Sequence, residues 1–238
     1  MNSIRQYSAT STQRQRGLSL VEMLVALVIS LFLIAGVIQL FIGSKQTYRF
    51  HDALSRVQEN GRFALEAMAR DIRMAGYQPV GSTATITDAI KAPRTNLSTG
   101  TDQVIVAWSD DGVNTLTRTY SLATGAGGKS ALFLQRETGT AQELVEGVEQ
   151  IQIRYGVDTT TPDPDHVPDS YVAASEVGDW SQVVSVRIDL LLASVEENIV
   201  TANQTVTFPP GSGTTVTVPN RRLPQIFSTT VGIRNRQP

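Results

Sequence analysis

Cysteine is absent from all 238 residues. That excludes disulfides, a zinc knuckle and a lipid anchor on cysteine, so an exported part must be stable on packing alone. Histidine is almost absent: His51 falls in a helical stretch and His166 in an Asp/Pro-rich loop. A Ser-His-Asp or histidine-metal site would therefore need partners remote in sequence, and both histidines read as exposed polar residues. No phosphate loop or dinucleotide fingerprint occurs; "GAGG" at 125–128 lacks the lysine and the strand-helix context and reads as a turn. Excess positive charge is also missing, the formal net charge being −2. Residues 1–17 hold Arg5, Arg14 and Arg16 and no acid, so without them 17 basic residues face 22 acidic ones, or −5. Such a chain is a poor generic binder of nucleic acid. No catalysis, cofactor or nucleic-acid partner is expected, and with 41% hydrophobic residues the chain is neither disordered nor fibrous.

What the sequence does have is one long apolar run, "RQRGLSLVEMLVALVISLFLIAGVIQLFIG" at 14–43. Leu18–Ile42 is 25 residues with Glu22 as its only charge, and as a helix it would reach roughly 37 Å, enough to cross a bilayer. It is longer than the core of a secretory signal, and residues 31–46 offer no small-x-small pair, so removal by the usual signal peptidase is not expected. Lys45, Arg49 and Arg56 balance the three leader arginines, so the long C-terminal part, as the translocated one, sets the N-terminus inside. A carboxylate in lipid costs about 2 to 3 kcal/mol at mid-span and less near an end. Glu22 is then either an interfacial side chain that snorkels or the complement of a charge. If the chain were cut after Gly17, Leu18 would carry a free α-amine one turn away, and in a staggered stack the glutamate of one subunit could meet the amine of the next.

Gly17, Leu18, Ser19, Leu20, Val21 and Glu22, behind a basic leader, resemble the class III signal of type IV pilins and type II secretion pseudopilins. The resemblance implies that prepilin peptidase cuts after Gly17 and methylates the new N-terminus at Leu18, and that Glu22 acts in assembly. Two departures stand out. The family usually has phenylalanine where Leu18 stands, and major pilins often have a helix proline where Gln39 lies, which points to a minor subunit or a pseudopilin.

The helical pattern continues past the membrane. Leu54, Val57, Gly61, Ala64, Met68, Ile72 and Ala75 recur every three or four residues as one apolar stripe. Asp52/Arg56 and Glu66/Arg70 support the charged face at i,i+4, and Gly76 with Pro79 forms a stop. The spacing predicts one helix over 18–75, roughly 87 Å long, or else an anchor followed by a separate stalk; Gly36, Gly43 and Gly61 are points where it can bend. From residue 81 the period shortens. "QVIVAWS", "TLTRTYSL", "ALFLQR", "EQIQIRYGV", "VVSVRIDLLLAS", "QTVTF", "TTVTV" and "FSTTVGIR" read as strands between turn-rich stretches. Trp108 and Trp180 read as packing anchors, and "SEVGDWSQ" as a short helical turn. The expected fold class is α+β, with a long N-terminal helix packed on a C-terminal antiparallel sheet domain. The expected divisions are a leader at 1–17, a membrane segment at 18–42, its amphipathic continuation at 43–76 and a β-rich domain at 77–238.

"RFALEAMARDIRMAGY" (62–77), "IRYGVD" (153–158), "DWSQVVSVRIDLLLAS" (179–194) and "RRLPQIFSTTVGIRNR" (221–236) resemble the pattern of PilW-type minor pilins, and more weakly the J-type minor pseudopilin of type II secretion. The first resemblance implies a pilin-like fold and a role in initiating type IV pilus assembly. It also implies as partners prepilin peptidase, other minor pilins, the major pilin, a tip adhesin and the inner-membrane assembly platform. The chain would sit in the inner membrane with its domain in the periplasm, and then in the pilus near its tip. Two further features of the β-rich part carry readings of their own. Asp163, Asp165 and Asp169 in "DTTTPDPDHVPDS" have positions 1, 3 and 7 of a calcium loop, but the central glycine and the glutamate at position 12 are missing, which favours a solvated acidic loop. Arg221, Arg222, Arg234 and Arg236 flank the last strand and read as guards of a sheet edge.

Overall fold

In a computed structural model of the chain the described residues are 19–91, 102–160 and 165–236. They divide into two units, Met1–Thr47 and Tyr48–Pro238. One helix, α1, runs Leu20–Met74, ending one residue before the predicted Ala75. The stop has the expected chemistry. Gly76 takes φ +74, which glycine adopts without a Cβ clash, and the Tyr77 N–H closes the last turn on the Met74 carbonyl at 2.9 Å.

Within the second unit the apolar stripe of α1 is buried at Ala53, Val57, Gly61, Ala64, Met68, Ala69 and Ile72, the predicted face with Leu54 at its margin. Gly61 is not a bend. A Cβ there would meet Phe227 Cζ at 2.5 Å, so the residue is small because an aromatic ring lies against the helix. Arg56 pairs with Asp52 at 3.0 Å and Arg70 with Glu66 at 3.9 Å on the exposed side.

The strands are β1 (Ile90–Lys91), β2 (Val104–Trp108), β3 (Leu116–Thr124), β4 (Ser130–Arg136), β5 (Gln142–Glu146), β6 (Val148–Val157), β7 (Ser170–Val172), β8 (Val183–Ala193), β9 (Gln204–Thr207), β10 (Thr215–Val218) and β11 (Pro224–Gly232). They form a five-stranded sheet β1-β2-β3-β4-β5, a four-stranded sheet β11-β8-β6-β7 and the hairpin β9-β10. Every pairing is antiparallel. The fold is therefore α+β, a long N-terminal helix with a C-terminal antiparallel sheet domain. All eight predicted strands are present. Those without a sequence signal are β1 and β7, of two and three residues, and β5, whose QELVE carries two acids. "SEVGDWSQ" spans two 3-10 turns, Ala174–Glu176 and Trp180–Gln182.

Val57, Met68 and Ile72 of α1, Tyr120 and Leu132 of the first sheet, and Ile153, Tyr155, Ile188 and Leu190 of the second belong to one core. The other face of β8, Leu191 and Ala193, packs on Phe208 and Val218 beside the hairpin. This strand is buried on both faces, which is why its sequence is an apolar run with little alternation. Trp108 is buried, with Nε1 donating to Asp110 at 2.8 Å and Arg118 stacked 5.1 Å from the ring centre. Trp180 is half-buried and meets Tyr155 edge to face. Polar ties join the layers: the Tyr120 hydroxyl donates to Asp71 at 2.6 Å, and the Asp102 carboxylate accepts from the Ile153 N–H at 2.8 Å and from the Gln152 amide.

Candidate functional site

Residues 19–48 of the first unit and the junction are exposed throughout, including Leu20, Phe32 and Leu40, each at least 75% exposed. A helix this long and apolar can cross a membrane. Its backbone is satisfied internally, as lipid requires. The Ser30 hydroxyl donates to the Ala26 carbonyl at 2.7 Å and Thr47 to that of Gly43 at 3.0 Å, so neither hydroxyl is left without an acceptor.

Glu22 lies in the first turn. Its N–H donates to Ser19 Oγ at 3.2 Å, so Ser19 caps the helix and Glu22 occupies the third helical position, where an acid also complements the positive end of the helix dipole. Gly17 and Leu18 lie outside the described residues.

The acidic loop serves its own backbone. The Asp158 carboxylate accepts from the N–H groups of Thr160 at 2.9 Å and His166 at 2.8 Å. Burial pushes its pKa up, but these donors outweigh that and hold it below the usual carboxylate value. Asp169 accepts from the Thr159 N–H at 2.8 Å and hydroxyl at 2.7 Å, and Asp165 from the Val167 N–H at 2.9 Å. Asp163 lies outside the described residues. His51 is exposed, but His166 is half-buried with φ +59, held by Asp158. "GAGG" is a turn, as expected, with the Gly125 N–H on the Lys129 carbonyl at 2.7 Å.

One of the four arginines corrects the sequence reading, while Arg234 is exposed just past β11. Arg222 is buried, donating to Glu149 at 2.5 Å and to the carbonyls of Ser194 at 2.5 Å and Ala193 at 3.3 Å, while Arg221 donates to Asn198. Arg222 is an internal brace and not an edge guard. No three His, Cys, Asp or Glu side chains converge on a metal-sized site among the described residues.

Residues 12–38 match the prokaryotic N-terminal methylation motif. Residues 109–235, more than half of the chain, match the family model of type IV pilus-assembly protein W. The chain belongs to this PilW family. Among solved structures it is similar to a type IV-like pilin from Thermus thermophilus, at 16% identity and a TM-score of 0.46, over 77% of this chain and 100% of that one. No curated protein matches it. In this PilW chain the methylation motif and the exposed apolar helix coincide, whereas the family match covers β3–β11. It is thus a type IV pilin-like protein with a prepilin-type N-terminus.

Proposed function

We propose that this PilW protein is a minor pilin that takes part in initiating type IV pilus assembly within a minor-pilin and tip complex. The observation that carries the reading is the presence, in one chain, of a methylation motif on an apolar helix exposed among the described residues and a PilW domain behind it. Residues 1–17 are the leader, 18–42 the membrane and fibre-core segment, 43–76 its amphipathic continuation and 77–238 the globular part. Prepilin peptidase cuts after Gly17 and methylates Leu18. Glu22 then answers the Leu18 amine of a neighbouring subunit. Before assembly the chain spans the inner membrane once, with its N-terminus cytoplasmic and its domain periplasmic, beside the assembly platform. Afterwards it lies near the pilus tip with other minor pilins, the major pilin and an adhesin.

The exposed surface of residues 19–42 supports this role. Lipid covers it before assembly, and packed helices of other subunits cover it afterwards, so the transfer costs little apolar exposure. Mass spectrometry of the membrane-extracted chain tests the processing step, with an N-methylated Leu18 terminus expected. An intact Met1 terminus in a strain with active prepilin peptidase contradicts the reading. Recovery with secretion-system pseudopilins, and not in sheared pili, would favour the J-like role.

A further inference from the structure

β11 lies at the border of its sheet and has one neighbour, β8, among the described residues. The Ile233 N–H bonds to the Val184 carbonyl, and the unbroken register then turns the backbone groups of residues 225, 227, 229 and 231 toward β8. Those of Ile226, Ser228, Thr230 and Gly232 point the other way. No backbone bond to them occurs among the described residues. Nine residues, "PQIFSTTVG", contain no charge, no bulge and no proline after the first position. Natural edges are normally blunted by such devices. Here Arg222 is buried against Glu149, Arg221 is engaged by Asn198, and the exposed Arg234 lies beyond the last residue of the strand. A nine-residue edge left open is a template for another strand.

Beside this edge runs a cleft of about 620 Å³, lined by Phe63, Phe227, Gln225, Glu59, Arg62 and Glu66, with Phe63 half exposed. Two carboxylates and one guanidinium surround two aromatic rings. The geometry points to a β-strand addition site: the outer edge of β11 takes an extended segment of a different polypeptide, whose alternate side chains, apolar and basic, enter the cleft. That the donor is another pilus subunit rests on the pilin reading.

A second copy of this chain does not fit. β11 runs in the same direction as α1: Leu223 packs with Ala53, Phe227 lies over Gly61, and Asn235 donates to the Ala75 carbonyl at 3.0 Å. Antiparallel pairing of two β11 strands, the pairing a two-fold dimer uses, would put their Tyr48 ends at opposite ends of the pair. Each Tyr48 follows an anchor that belongs in the same membrane.

Thr230 is exposed and directs its N–H outward, so Thr230→Pro removes one outward donor without breaking a bond to β8. Thr230→Lys puts a charge on the edge, and Thr230→Val leaves the edge intact. In cells making the full chain, the fraction recovered in sheared pili, relative to the membrane pool, is expected to fall about tenfold for Pro and Lys, because a donor strand is left with unmet groups. Val should match the parent. If Pro lowers the melting temperature of the solubilised chain, Lys decides. Incorporation of Lys at the parent level overturns the site. In a second arm, p-benzoylphenylalanine replaces Thr230. A photoadduct to one contiguous segment of another pilus subunit supports the site, whereas a self-adduct or no adduct overturns it. A parent chain that keeps Met1 and never enters pili would sink the pilin reading separately, and the adduct pattern would still decide the edge.

Discussion

Glu22 and Arg222 show how differently a single charge is used in the two units. Glu22 needs no partner to fold: its N–H is capped by Ser19 and its charge suits the first turn. Glu22→Leu should therefore insert as well as the parent and still be cut after Gly17, because the segment becomes more apolar. Incorporation into pili should fall sharply, with Glu22→Asp intermediate, read from sheared-fibre yield against membrane immunoblots. Normal piliation with Glu22→Leu would reduce the glutamate to a snorkelling residue of the first helical turn. Arg222 is the opposite case, since it braces Glu149 and two carbonyls from a buried position. Arg222→Met strands a largely buried carboxylate, at a cost of about 3 kcal/mol. For a chain of this size that lowers the melting temperature by roughly 6 to 12 °C, and Glu149→Leu in the same chain should restore part of it.

Elements are matched by close fit as much as by pattern. Alanine normally stabilises an exposed helical glycine position by about 1 kcal/mol. At Gly61 the Phe227 ring occupies the space of the new methyl group, so Gly61→Ala should instead destabilise, by about 1 to 2 kcal/mol. With Phe227→Leu added the sign should reverse, and a double-mutant cycle by thermal melting reads the coupling. The acidic loop makes a separate prediction. Its described carboxylates are occupied by backbone donors, so calcium should leave the melting temperature unchanged. A gain of several degrees, lost on mutating Asp163, Asp165 and Asp169 to asparagine, would show a site that binds the folded state.

For the whole molecule, acid sensitivity follows from carboxylates held in the charged form. Asp111 is lowered by the N–H groups of Asn114 and Val113 and by the Asn114 side chain. Glu197 is lowered by its bond to Lys129, and Asp158 by donors that overcome burial. A depressed folded pKa contributes stability above the unfolded value, about 4 for these side chains, and loses it as pH falls. The melting temperature of the solubilised chain should drop as pH goes from about 5 to about 3, and Asp111→Asn should flatten part of that drop. Tyr120 is shifted the other way, raised by burial and then by its bond to Asp71, and it stays neutral throughout that range.

By itself the sequence determined the features that local chemistry controls. An apolar run with one acid behind a basic leader reads as a prepilin-type N-terminus on a helix long enough to cross a bilayer. A 3.6-residue stripe gives the buried face of α1, and alternating or β-branched runs give eight strands, because in each case the physics acts between near neighbours. Tertiary structure decided what depends on distant partners. Short or polar β1, β5 and β7 are strands only because neighbours pair with them. Gly61 is set by a ring 166 residues later in the chain. Arg222 turns inward because Glu149 and two carbonyls await it, which no charge pattern near residue 222 encodes. The open edge of β11 has the same origin: the composition of the strand is local, but which strand lies outermost is fixed by the order in which distant segments pair.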